Sequence, residues 1–233
     1  MTSIVLLPGM DGTGELFAPL VAAWGGQFRT QVVSYPRAER LGYAALADRV
    51  RALLPQDEDY VLLAESFSGP LGVMLAAERP ERLRGLVLCA TFARSPLPLL
   101  QWLAPLAHAV PRVALPDRAL VWGLLGRYAT PSLVVAIRQA VLSVDLAVLA
   151  ERIRAVAGVD VSGALPDVQV PVLYLLARND RVVSRRAVKP FMALGDRLQV
   201  VSCVGPHCLL QACPGDAAAV VSTFIGSLPK AAG

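Results

Sequence analysis

The sequence predicts an α/β fold: a mostly parallel sheet of about six strands, covered by helices and carrying a helical insertion. Three observations carry this expectation. Short apolar runs rich in β-branched residues recur, with helical patterns between them. One run breaks abruptly at a serine into a helix-like segment, and glycine-bearing or charged turns follow several of the others.

Taken in order, the run Ile4-Val5-Leu6-Leu7 is a buried strand ending in Pro8-Gly9-Met10-Asp11-Gly12-Thr13-Gly14, ahead of an amphipathic stretch over residues 15–24. Further strands are expected at residues 30–34, 60–64, 86–89, 172–176 and 198–202, and helices at 42–54, 70–78 and 214–225. Between residues 92 and 166 the pattern changes to segments dense in Leu, Ala, Val and Pro, such as 96–103, 120–125 and 133–138. Prolines and arginines recur there at intervals too short for a bilayer span. We read this part as a helical lid over the strand ends, with residues 1–91 and 167–233 forming the core domain.

At 233 residues and 55% hydrophobic content, the chain can bury a large core as one domain. No basic region precedes the first apolar run, and Pro8-Gly9 interrupts it early, so the expected location is cytoplasmic. The cysteines Cys89, Cys203, Cys208 and Cys213 lack C-x-x-C spacing and read as free thiols of a reducing compartment. Basic residues are dispersed without an aromatic-basic module, which argues against a nucleic-acid partner. The glycines at residues 9–14 do not make a phosphate loop, because Glu15-Leu16 stands where Lys and Ser/Thr are needed. Their spacing also misses the dinucleotide fingerprint, and no acidic residue ends the next strand.

The chemistry is concentrated where Val61-Leu62-Leu63 breaks into Ala64-Glu65-Ser66-Phe67-Ser68-Gly69-Pro70. A serine on a tight strand-to-helix turn has its hydroxyl held out at the sheet edge, and small residues two positions either side let the turn close. Here Ala64 and Ser68 stand where glycines are usual, and a helix cap is the alternative role for Ser66. The amides of Phe67, after the serine, and of Met10, in the first loop, are candidate oxyanion donors. Of two histidines, His108 lies in a proline-rich apolar segment, whereas His207 follows strand 198–202 in Val204-Gly205-Pro206-His207. A histidine at a strand's carboxyl end sits where open α/β sheets build sites, so His207 is the candidate base. Asp180, in the loop after strand 172–176, is the candidate acid that orients it, its alternative being a cap or an ion pair with Arg178 or Arg181. Asp160 and Asp167 are next in line.

On Leu7-Pro8-Gly9-Met10-Asp11-Gly12, Glu65-Ser66-Phe67-Ser68-Gly69, Asn179-Asp180 and Gly205-Pro206-His207, the chain resembles the α/β-hydrolases over essentially its whole length. The resemblance implies an α/β-hydrolase fold lacking the first two strands. It implies Ser66 as nucleophile, His207 as general base and acid, Asp180 as orienting acid, the Met10 and Phe67 amides as oxyanion hole, and no metal or organic cofactor. The lidded layout is similar to that of esterases that cleave pimeloyl-acyl-carrier-protein methyl ester in biotin biosynthesis. The first loop resembles that of acyltransferases that make phytyl esters and triacylglycerols. The expected function is therefore a serine carboxylesterase acting on a small-molecule or carrier-linked ester with a hydrophobic acyl group. An acyltransferase, a thioesterase and a non-catalytic ligand-binding protein of this fold are the alternatives. Across residues 92–166, seven arginines against four acidic residues give +3, which would suit an acidic acyl carrier protein as partner.

Overall fold

Six strands pair side by side, all parallel, in the residues described by a computed structural model, 3–96 and 117–229. They are β1 (Ser3–Leu7), β2 (Arg29–Val32), β3 (Tyr60–Glu65), β4 (Leu83–Cys89), β5 (Val172–Ala177) and β6 (Leu198–Cys203), in the order β2-β1-β3-β4-β5-β6. Register aligns Leu7 with Ala64, Glu65 with Cys89 and Ala177 with Cys203, so the carboxyl ends of neighbouring strands open onto one rim. The helices are α1 (Ala18–Trp24), α2 (Tyr43–Arg51), α3 (Gly69–Ala77), α4 (Asp117–Leu124), α5 (Pro131–Leu142), α6 (Leu146–Gly158), α7 (Leu209–Ala212) and α8 (Pro214–Ser227).

The central strands read as continuous apolar runs because both faces are covered. Val5, Leu7, Leu62, Ala64, Leu86, Leu88, Val172 and Tyr174 point to one face, where Leu46 and Val50 of α2 and Leu71 and Leu75 of α3 pack on them. Ile4, Leu6, Val61, Leu63, Val87, Cys89, Leu173 and Leu175 point to the other, under Leu20 and Trp24 of α1 and Val221 and Phe224 of α8. Helix α3 is apolar all round because it lies against the sheet, α2 and the turn at Ser162–Asp167. Gly72 permits that approach: a Cβ there would stand 2.9 Å from the Ala64 Cβ.

The inserted helices join the core through a third cluster, in which Leu125 and Ile137 meet Cys208, with Leu16 and Leu133 beside them. His108 and the apolar segment 97–103 lie outside the described residues. Several expected bounds shift by a residue or a few, β2 ending at Val32, as element ends commonly do. Helical turns over Arg185–Arg197 were not expected; Pro190 and Gly195, the latter at φ 57°, hide them from a periodicity reading. No single helix among the described residues is long and apolar enough to cross a membrane, and α5 and α6 are such a candidate only together, bent by 96°.

The two-faced burial of the sheet yields a contrast in stability. Leu63→Ala, at a fully buried β3 position, is expected to cost about 3 kcal/mol in urea unfolding. Leu142→Ala, at a position 78% exposed on α5, should stay within about 0.5 kcal/mol of the parent.

Candidate active site

Where β3 meets α3, Ser66 takes φ 49°, a left-handed conformation that a non-glycine residue rarely adopts. Such a residue costs on the order of 1–2 kcal/mol and persists only where its surroundings over-determine it. They do so here. The carbonyl of Ser66 accepts from the Gly69 N–H and the Thr91 hydroxyl, and the Phe67 carbonyl accepts from the Tyr43 hydroxyl at 2.8 Å. Pro70, with no N–H to offer, would otherwise leave the Ser66 carbonyl short of a helical donor. The Tyr174 hydroxyl donates to the Thr91 carbonyl at 2.6 Å and holds that support in place.

The unusual spelling of the turn has a steric account. Gly69 is the position where a side chain is excluded, since a Cβ there would lie 1.8 Å from Thr91 Oγ1. At residue 68 a hydroxyl is used: Ser68 Oγ donates to the Pro8 carbonyl and lies 2.6 Å from the Tyr35 hydroxyl. Ser68 thereby ties the serine turn to the loop after β1. Phe67 is fully buried, its ring stacked on Tyr43 at 4.9 Å.

The loops after β5 and β6 supply the other two groups. Backbone bonds from Arg178 N to the Cys203 carbonyl and from Asn179 N to the Gly205 carbonyl hold these loops together. Ser66 Oγ lies 2.8 Å from His207 Nε2, and His207 Nδ1 lies 2.8 Å from Asp180 Oδ2. The side chains of His207 and Asp180 are 6% and 3% exposed. The hydroxyl of Ser66 faces the imidazole and makes no capping bond to the following helix. Asp180 Oδ2 holds the ring, while its Oδ1 accepts the amides of Val182 and Val183 at 2.8 Å each and closes the turn; the cap of the following helical segment is Ser184. Asp160 and Asp167 are engaged elsewhere, with Arg94 and Arg79.

Met10 and Phe67, the expected oxyanion donors, follow the adjacent ends of β1 and β3. The Gly9 carbonyl accepts from the Gly12 N–H at 3.0 Å, closing a turn. Because a trans peptide points N–H and C=O in opposite directions, that turn directs the Met10 N–H away from its own interior. Gly12, at φ 67°, gives the turn its left-handed residue. Asp11 Oδ2 accepts from the Thr13 amide and hydroxyl at 2.8 and 2.5 Å, fixing the loop's exit.

Two groups that sequence reasoning missed adjoin the site. Glu65, preceding the serine, is fully enclosed, and Gln211 Nε2 donates to its Oε2 at 3.2 Å. Burial pushes its carboxyl up to about 7 from an ordinary 4.5, against the pull of the Gln211 amide and His207. Gln211 Oε1 is buried without a partner among the described residues. The second is Arg152, a fully buried arginine on α6 whose guanidinium reaches the Met10 loop. Only its place among the lid arginines was visible in the sequence.

A parallel sheet whose strand ends gather a serine turn, an aspartate and a histidine in this chain order defines the α/β-hydrolase class. The chain belongs to the alpha/beta hydrolase family, which it matches over residues 4–221. It is similar in fold to the enol-lactonase of Burkholderia xenovorans LB400, with a TM-score of 0.81, 21% identity, and coverage of 97% of this chain and 92% of that one. A thermophilic esterase of Thermogutta terrifontis gives a TM-score of 0.82 at 20% identity, covering 97% and 90%. Phytyl ester synthase 1 (chloroplastic) of Arabidopsis thaliana is 31% identical over 118 residues, a match covering 47% of this chain and only 16% of the plant protein.

The burial of Glu65 has a pH signature. Its pKa is higher folded than unfolded, so the native state gains from the bound proton below about 4.5 and loses that gain as pH rises through about 7. Replacing it in Glu65→Gln removes this dependence. Relative to the variant, wild type is expected to lose on the order of 3 kcal/mol between those pH values in urea titrations; a constant difference would contradict a neutral buried Glu65.

Proposed function

We propose that the chain is a serine hydrolase of carboxylic esters with hydrophobic acyl groups. The observation that carries this reading is the single imidazole of His207, within 2.8 Å of both the Ser66 hydroxyl and the Asp180 carboxylate. In this reading His207 Nε2 takes the Ser66 proton as Oγ attacks the acyl carbonyl, and Asp180 holds Nδ1–H and stabilises the imidazolium. The Met10 and Phe67 amides receive the oxyanion, the imidazolium protonates the departing alcohol, and water deacylates Ser66 through the same ring. A non-catalytic role would leave the orientation of a buried histidine toward a strained serine without purpose.

The inserted helices form the lid of this reading, excluding water from the acyl group. A methyl ester of a carrier-linked dicarboxylic acyl chain is its narrower form. Of the seven arginines in residues 92–166, Arg152 is buried, Arg94 pairs with Asp160 and Arg154 with Glu151, so three are not free to meet an acidic carrier. We place a free acyl ester ahead of a carrier-linked one. Transfer of the acyl group to an alcohol is the second reading, favoured by the partial likeness to phytyl ester synthase 1.

Ser66→Ala is expected to abolish p-nitrophenol release from short-chain esters while leaving the unfolding transition in place; undiminished turnover would refute the nucleophile. Asp180→Asn should lower kcat by roughly 10³- to 10⁴-fold, through loss of the correct tautomer. Product analysis with a long-chain alcohol present decides between acceptors: mainly free acid supports hydrolysis, and mainly new ester at low alcohol concentration supports transfer.

A further inference from the structure

We propose that Arg152, on inserted helix α6, is a positioning residue for the oxyanion hole, acting on the Met10 loop from the far side of the nucleophile. The inference rests on the acyl-transfer reading of Ser66 and deepens it. Its evidence is the full accounting of five successive carbonyls. Pro8 O accepts from Ser68 Oγ, Gly9 O from the Gly12 amide, and Gly12 O from the Tyr35 amide at 2.7 Å. The two carbonyls between them, of Met10 and Asp11, both accept from Arg152 Nη1, at 2.8 Å each. Nη2 of the same guanidinium donates to the Pro36 carbonyl at 2.9 Å, and its carbon lies 5.7 Å from the centre of the Tyr35 ring.

Arg152 is 2% exposed and none of its hydrogen bonds here goes to a carboxylate. A cation taken out of water to bind three backbone carbonyls is an expensive way to stabilise a surface insertion. The sequence around the loop also makes room for it. At Gly12 a Cβ would stand 2.6 Å from Arg152 Nη1, so that residue is excluded from carrying a side chain by the guanidinium as well as by its φ of 67°. The planar fork is what permits two neighbouring carbonyls and a third across the loop to be held at once, and a lysine ammonium cannot reproduce it.

The consequence for chemistry follows from peptide geometry. Fixing the Met10 carbonyl fixes the plane of the peptide after Met10, while the Gly9 carbonyl fixes the plane before it. With both planes set, the Met10 N–H has one direction, and a donor preorganised before the tetrahedral intermediate forms stabilises it without reorganisation. Released from Arg152, the loop keeps its fold through Ser68, Tyr35, Asp11 and the Gly9–Gly12 bond, but the peptide after Met10 regains freedom and loosens the residue whose N–H is the donor. Helix α6 therefore couples the seat of the lid to the oxyanion hole.

The test compares wild type, Arg152→Met and Arg152→Lys on a short-chain p-nitrophenyl ester, with folding followed by urea unfolding. For folded Arg152→Met we expect kcat to fall by roughly 10²-fold, the loss typical of one oxyanion donor, with KM changed little. Low-millimolar guanidinium should restore part of that kcat, where equal sodium chloride does not. Arg152→Lys should lie between the two and respond weakly. A merely structural role predicts loss in proportion to unfolded protein and no guanidinium rescue, and that result, or a folded variant within twofold of wild-type kcat, overturns the inference. If Arg152→Met fails to unfold cooperatively, the folded Lys variant is judged by the same kcat criterion. Wild type without Ser66-dependent turnover would sink the acyl-transfer reading and this inference together, whereas Ser66-dependent activity untouched by the Arg152 substitutions sinks the inference alone.

Discussion

A serine held at φ 49° between a buried strand and a buried helix is the constraint on which the site depends. The turn aims the Ser66 hydroxyl at His207, and the one local bond, from the Gly69 N–H to the Ser66 carbonyl, works against an intrinsic preference for negative φ. The restraint comes from neighbouring elements. Thr91 after β4 donates to the Ser66 carbonyl that Pro70 cannot serve, Tyr43 at the start of α2 donates to the Phe67 carbonyl, and Ser68 ties the turn to Pro8. Order in the parallel sheet is what makes those partners available, because β1 and β4 flank β3 on either side. Fold and chemistry are linked through that adjacency.

The same economy of backbone groups governs the loop after β1. A loop at a sheet edge carries polar groups that either meet water or must be paired. Here the carbonyls of residues 8–12 are all paired inside the protein, by groups from the serine turn, the loop itself, the loop after β2 and inserted helix α6. Glycines at 9 and 12 let the chain close the turn, while the specific donors decide its orientation. An insertion that reads as a cover thus also forms part of the wall behind the reacting atoms.

How much was legible in the sequence follows from where each signal resides. The strands were legible because both faces of β1, β3, β4 and β5 are buried, leaving runs such as Leu62-Leu63 and Leu173-Tyr174-Leu175 with no polar interruption. Ser66 was legible because the run stops there, and His207 and Asp180 because each follows a strand end in a sheet of one direction. Arg152 was not, since an arginine on a helix reads the same whether it faces water or three carbonyls, and only tertiary placement separates it from exposed Arg118. Thr91, Tyr35 and Tyr43 carry no pattern either: a hydroxyl completes a turn many residues away by a contact that has no period. The charge of residues 92–166 is likewise a sum that carries no placement: Arg152 is buried, and Arg94 and Arg154 pair with acids already counted in it.

Burial of the relay explains the treatment of its neighbours. With His207 and Asp180 nearly withdrawn from water, charge interactions among them act at a lower effective dielectric than at the surface. In the proposed reaction a single carboxylate on Nδ1 orients the ring and would stabilise the imidazolium formed as Ser66 gives up its proton. A second, ionised carboxylate beside the strand end would pull on the same cation without serving the serine. Glu65 occupies that position, and its burial favours the neutral acid through the acidic range up to about 7, against the hydrogen bond from Gln211. Packing beneath the serine thereby limits the negative charge around the imidazole.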